Sequence, residues 1–171
     1  MVKYTKTKKK ILIISNSVQQ LYLRLNLIKE LKKTYEVICF ARFDVKLLKI
    51  KNVKFVNFKL SQRGINLFEE LNSFIDLFKI LKIQKPDLIL NFTIKPNFYC
   101  SIISIFLNIK FINNITGLGI LFLKSNLTKL AGLFIYKTFL SRANYTFFQN
   151  KPTKEKFNSK NIILRRKSGL I

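Results

Sequence analysis

Apolar and polar residues follow two alternating rhythms along this chain. Lys10–Ser15 (KILIIS) and Glu36–Phe40 (EVICF) are short, nearly continuous apolar runs. Runs of this length predict strands buried on both faces. Between them Leu21, Leu25, Ile28 and Leu31 recur at helical spacing, which predicts a helix with one apolar face. Val53–Phe58 (VKFVNF) alternates as a strand near a sheet edge does. The helical period returns over Asn66–Ile83, with Leu67, Leu71, Phe74, Phe78 and Leu81 expected to face inward and Pro86 ending the segment.

The second half repeats the alternation. Asp87–Phe92 (DLILNF) reads as a strand. Pro96 stands where the first turn of a helix begins, and that helix is expected to run to about Asn108. Phe111–Ile115 is a strand, and Ser125–Arg142 a helix with Ser125 or Asn126 as its N-cap. Tyr145–Gln149 (a strand), a short helix near Thr153–Phe157 and the strand Asn161–Leu164 close the chain. Strands alternating with helices imply parallel pairing through right-handed crossovers. The expected fold is therefore α/β: a Rossmann-like, doubly wound parallel sheet in one domain, residues 10–171, behind a basic tail, residues 1–9.

Composition narrows the function classes. With 171 residues, 49% of them hydrophobic, the chain is long and apolar enough for a real core. Its net charge is +24. That points to an anionic partner such as nucleic acid, acidic lipid or a phosphorylated substrate, or to a compositional bias toward Lys, Ile, Asn and Phe. There is no histidine, which excludes a Ser-His-Asp triad, a Cys-His pair and a His-ligated zinc site. Cys39 and Cys100 have no framework or metal-ligand spacing. The uncharged stretches Pro96–Ile109 and Phe111–Leu123 are separated by Lys110 and each falls short of a membrane span. Helix Ser125–Arg142 combines an apolar face with Lys129, Lys137 and Arg142. It fits either an anionic bilayer surface or a core with basic flanks.

In open parallel sheets ligands gather at the carboxyl ends of the strands. That rule selects Ser15–Gln19, Thr93–Asn97, Thr116–Gly119 and Gln149–Asn150. Lys95 lies beside a helix start, where backbone N–H groups favour an anion. The pair can hold a phosphate or a sugar carboxylate, or be an ordinary turn with a solvated lysine. Gly117 and Gly119 allow close approach of a ligand to the backbone, but they form neither a dinucleotide fingerprint nor a P-loop. Of the eight acidic residues, Glu30, Glu69, Glu70 and Asp76 read as solvated helix faces. Glu36 and Asp87 start strands at the far end of the sheet, and Asp44 is a loop charge after the second strand. No paired carboxylates for acid-base work are visible.

At these loops the sequence resembles the amino-terminal domain of family 4 glycosyltransferases, which have the GT-B fold. The resemblance is to members that build bacterial surface polysaccharides and lipid-linked oligosaccharides. It is carried in order by KILIISNS, by LYLRLNLIKELKK with Arg24, and by KPDLILNFTIKPNFYCSIIS with Thr93, Lys95, Pro96 and Asn97. INNITGLGILF, with Thr116 to Gly119, and YTFFQN, ending in Gln149 and Asn150, continue it. The final NIILRRKSGLI is similar to the strand and turn leading into the family's second domain.

The resemblance implies a cytoplasmic enzyme, with peripheral attachment to the cytoplasmic face of the inner membrane as an open alternative. This half would hold a sugar or lipid-linked sugar acceptor. Its substrate-binding residues would come from Ser15, Asn16, Ser17, Arg24, Thr93, Lys95, Asn97, Thr116, Gly117, Gly119 and Asn150. The donor nucleotide-sugar is a co-substrate bound mainly by a second domain, and no other cofactor or metal is expected. The chain then reads as a truncated product, or as one part of a split enzyme with a separate donor-binding chain. A non-catalytic binding subunit at an anionic membrane surface is the alternative. A basic nucleic-acid-binding protein is a weaker alternative; a nucleic-acid partner is not expected, because no recognised binding module is present. Two departures from the family stand out: Ser15-Asn16-Ser17 lacks the glycines many members carry there, and the chain has no histidine near the cleft.

Overall fold

Among the described residues, the polar–apolar rhythm resolves into seven strands and four helices of five or more residues in a computed structural model. It describes residues 8–43, 45, 50–58, 60, 67–116, 138–149 and 162–164. Strand β1 (Lys10–Ser17) is followed by α1 (Val18–Tyr22), α2 (Leu25–Thr34), β2 (Glu36–Arg42) and β3 (Val53–Asn57). Then come α3 (Leu67–Gln84), β4 (Leu88–Phe92), α4 (Ile94–Leu107), β5 (Lys110–Ile115), β6 (Tyr145–Phe148) and β7 (Ile162–Leu164). All six strand pairings are parallel, in the order β3-β2-β1-β4-β5-β6-β7. This is the expected Rossmann-like sheet. The strand order reverses between β1 and β4, which places a crevice at their carboxyl ends.

Strands β1, β2 and β4 run apolar because helices cover both faces. On one face Leu12, Ile14, Ile38, Phe40 and Ile89 pack against Leu77 and Leu81 of α3 and Cys100 and Ile103 of α4. On the other, Ile11, Ile13, Val37, Cys39, Leu90 and Phe92 pack with Leu21 of α1 and Ile28 of α2. Strand β3 lies at the sheet edge and its residues are half-buried or exposed, as its alternation requires.

Three expectations change. The first helical segment is broken at Leu23–Arg24, where the Arg24 N–H reaches Leu21 O at 2.8 Å instead of continuing the helix. Leu21 and Ile28 keep the inward face across the break. The inward face of α3 is partly as expected: Phe74, Phe78 and Leu81 pack on the core together with fully buried Leu77, while Leu71 is 55% exposed. Apolar residues occupy most of the circumference of α3, so its period alone does not say which of them stay outside. Glu70, expected to be solvated, is largely buried against α4 (see below). The expected helices Ser125–Arg142 and Thr153–Phe157 lie mainly outside the described residues, as does Asp44.

Candidate functional site

The carboxyl ends of β1, β4, β5 and β6 share one rim, because these strands are parallel neighbours. Ser15, Asn16 and Ser17 complete β1, after its pairing register with β2 shifts past Ile14. Ser15 is fully buried. Ser17 caps α1, its Oγ accepting from Gln20 N at 3.4 Å. The Asn16 N–H donates to Thr93 Oγ1 at 3.3 Å, tying the end of β1 to the β4–α4 turn.

That turn is strained. Thr93 has φ 71° and ψ 165°, a region that only glycine enters freely, at a cost of about 1–3 kcal/mol for other residues. The conformation lets one residue end β4 and begin α4, since Thr93 O accepts from Asn97 N at 3.1 Å. The Thr93 hydroxyl donates back to Phe92 O. Pro96 sits in the first turn of α4, where its missing N–H breaks no helical bond. Asn108 caps the far end in the left-handed conformation.

Lys95 does not stand free at the helix start. Its Nζ donates to Glu70 Oε1, and Tyr99 donates its hydroxyl to Glu70 Oε2. The two side chains of the ion pair are 24% and 16% exposed. Burial, then the hydrogen bond and charge of Glu70, push the Tyr99 hydroxyl well above the usual phenol range. The Lys95 charge is therefore met from within, by a helix contact 25 residues away in sequence. Phe74 packs edge-on to Tyr99, ring centroids 5.7 Å apart, and completes the α3–α4 junction.

Arg24 occupies the other face of the rim. Its guanidinium lies 4.6 Å from the centroid of the Phe92 ring, and one guanidinium nitrogen donates to Gln20 O at 2.8 Å. A cleft of about 720 Å³ opens beside it. Leu23, Arg24 and Leu27 form one wall, and Leu90, Phe92, Ile112, Asn114, Phe147 and Gln149 form the floor. The size and the mix of apolar lining with a few polar groups are those of small-molecule sites, roughly 300–1,000 Å³. Exposed Leu23 on the lip adds apolar surface that a ligand can cover.

Asparagines form a layer that the motif reading missed. Asn91 Nδ2 donates to Asn113 Oδ1 at 2.9 Å, and Asn113 Nδ2 donates to Ser101 Oγ at 2.9 Å. Ser101 donates to Asn97 O at 2.5 Å, and Asn97 Nδ2 donates to Asn114 O at 2.9 Å. Asn91, Asn97, Ser101 and Asn113 are all fully buried. They lock α4 onto β4 and β5. The signal was present in the sequence: Asn interrupts the buried runs LILNF and KFINNI near their carboxyl ends. Among the described residues the side-chain oxygens of Asn91, Asn97, Asn114 and Asn16 and the Ser15 hydroxyl have no partner. Such groups usually meet ordered water or a ligand.

The structure thus brings Ser15, Asn16, Ser17, Thr93, Asn97 and Thr116 to one rim. It separates Arg24, at the cleft, from Lys95, at the α3–α4 junction. Gly117, Gly119 and Asn150 lie outside the described residues. Among the described residues there is no cluster of metal-ligating side chains. The described rim offers hydrogen-bonding amides, hydroxyls and one guanidinium above an aromatic ring. Glu70, the α3 carboxylate that meets the start of α4, is engaged by Lys95 and Tyr99.

Comparison with known proteins follows the same division. The solved structure of MurG from Acinetobacter baumannii superposes with a TM-score of 0.61 at 14% identity, over 94% of this chain and 47% of that one. A UDP-N-acetylglucosamine 2-epimerase gives 0.64 at 17% identity, over 92% and 48%. The lipopolysaccharide outer core galactosyltransferase WaaB gives 0.59 at 13% identity, over 90% and 44%. These likenesses establish the fold, and the chain spans about half the length of each. A search of curated proteins gives no match. The family described as "Glycosyl transferase 4-like" matches residues 10–150, from the first residue of β1 to just past β6. On that match over most of its length, the chain belongs to the glycosyl transferase 4-like family.

Proposed function

We propose that this chain is the acceptor-binding half of a glycosyltransferase that moves a sugar from a nucleotide-sugar to a hydroxyl of a polysaccharide or lipid-linked acceptor. The cleft beside Arg24 and Phe92 carries the reading. It lies over β4, β5 and β6 beside the break between α1 and α2 and combines an apolar floor with amide and guanidinium donors. An amphipathic glycan acceptor has that same mixture of surfaces. The rim supplies positioning rather than acid-base chemistry, and positioning is a large part of glycosyl transfer. The donor nucleotide-sugar and the groups that stabilise the departing diphosphate come from a further domain, in the same chain or in a separate one. By itself the described half binds acceptor and does not turn over donor. Cytoplasmic placement at the inner face of a membrane accords with this role; among the described residues no helix is long and apolar enough to cross a membrane.

The test is equilibrium binding of purified chain to short polyprenyl-diphosphate sugars and to free oligosaccharides. Saturable binding is expected, weakened about tenfold by Arg24→Ala, the range for losing a charged hydrogen bond. Absence of saturable binding to either acceptor class would overturn the assignment. So would hydrolysis or transfer of a nucleotide-sugar by the chain alone.

A further inference from the structure

The floor of the cleft beside Arg24 sets one amide in an apolar row. Phe92, Asn114 and Phe147 are partners across β4, β5 and β6, and all three line the cleft. Partnered residues of parallel strands project to the same face, about 4.8 Å apart. The next row toward the strand starts holds Leu90 and Ile112. The Asn114 amide therefore stands between two phenyl rings, with aliphatic groups beside it. Asn113, one residue earlier, projects to the opposite face and joins the buried amide layer. The Asn114 Oδ1 is buried and has no hydrogen-bond partner among the described residues.

We propose that Asn114 selects an acceptor sugar that carries an acetamido group, an inference that rests on the acceptor reading of this cleft. A buried acceptor oxygen left unmet is costly, so the ligand has to bring a donor to it. An acetamido group brings an N–H together with a methyl and a carbonyl. Its N–H donates to Asn114 Oδ1. Its methyl covers Phe147 and Ile112, which water otherwise wets. Its carbonyl accepts from a side-chain amide, and Gln149 also lines the cleft. The chemistry of the row and of the ligand group then match in donor, acceptor and apolar surface alike.

The competing sugars fit less well. A hexose hydroxyl at the same point donates to Asn114 but has no methyl for the apolar row, and it sets its own remaining polarity against the rings. One face of Phe92 already carries the Arg24 guanidinium, 4.6 Å from the ring centroid, which leaves Phe147 as the ring for the methyl. A free amino sugar is a cation at neutral pH. Arg24 is the one charged residue among the described residues that line the cleft, so a protonated amine meets a like charge and no carboxylate.

The experiment is a chemical-shift titration of the purified chain with methyl glycosides of N-acetylglucosamine and N-acetylgalactosamine, set against those of glucose, galactose and glucosamine. An acetamido sugar is expected to bind about tenfold or more tightly than its hexose counterpart, the range for one apolar group in a fitted site. Glucosamine should bind weakest, and an N-formyl analogue, which keeps the N–H and lacks the methyl, should fall between. Asn114→Ala should bring the acetamido sugars down to the affinity of the hexoses. If that variant folds poorly, Phe147→Leu should narrow the same preference by removing the ring. Equal affinity for acetamido and hexose sugars, or a preference that survives Asn114→Ala, would overturn the inference and leave the acceptor reading standing. Binding of none of these sugars would also overturn it; the polyprenyl-diphosphate and oligosaccharide titrations then show whether the acceptor reading falls too.

Discussion

Replacing Glu70 by alanine tests how the rim is held. The carboxylate accepts from Lys95 and from Tyr99 and joins the start of α3 to the first turns of α4. The ion pair is neither a surface pair nor a dry one, with side chains 16% and 24% exposed. Exposed pairs contribute about 0–1 kcal/mol, and breaking a fully buried pair costs about 3–5 kcal/mol. Partial solvation of Lys95 lets water take over some of its hydrogen bonding, so the expected loss is about 1–3 kcal/mol. For a chain of this length that is a drop in Tm of roughly 2–12 °C, at about 2–4 °C per kcal/mol. Urea unfolding of wild type, Glu70→Ala, Lys95→Met and the double variant gives the coupling directly. A coupling above about 1 kcal/mol is expected for groups in contact. Glu70→Gln should also lower the Tyr99 ionisation, read from phenolate absorbance, while leaving the part caused by burial. Additive losses with an unmoved Tyr99 titration would refute the Lys95–Glu70–Tyr99 arrangement.

Further outcomes follow from other contacts. Asn113→Leu should cost about 1–3 kcal/mol in urea unfolding, because it strands the Asn91 amide in a fully buried layer and removes the donor to Ser101, which keeps only its bond to Asn97 O. Thr93→Gly relieves the positive φ but loses the bond to Asn16, and should leave stability within about 1 kcal/mol of wild type. Thr93→Val keeps the strain, loses the bond and should be clearly worse. Burial pushes the Cys39 thiol from 9.0 up to about 12. It raises Cys100 as well, so neither thiol should react with alkylating reagents until urea unfolds the chain. Because those folded-state values are raised, their stabilisation is complete below the unfolded thiol value. It is lost as pH climbs toward the folded one. The urea midpoint should therefore fall between pH 9.0 and about 12, and a midpoint flat across that window would contradict the burial.

The division between what the sequence determined and what the tertiary structure decided follows the range of the forces involved. Strand and helix periods are local, so LILII-type runs, the Pro96 start of α4 and the alternation of elements predicted a parallel sheet, and all seven expected strands form. The rule that ligands gather at strand carboxyl ends then placed Ser15, Asn16, Thr93, Asn97 and Thr116 together without any knowledge of contacts. Partner choice is not local. Lys95 read as either an anion-holding or a solvated cation until α3 brought Glu70 against it, while Arg24 gained its place over Phe92 only through the break between α1 and α2. The inward face of α3 was legible at Phe74, Phe78 and Leu81 but not at Leu71, which is exposed, or at Leu77, because an apolar helix presents several faces that could pack and only the sheet beneath it selects among them. Buried Asn91 and Asn113 read as ordinary strand residues until β4 and β5 came into register and aligned them with Ser101. Hydrophobic period fixes where elements form; the pairing of charges and amides depends on which elements the fold sets a few ångströms apart.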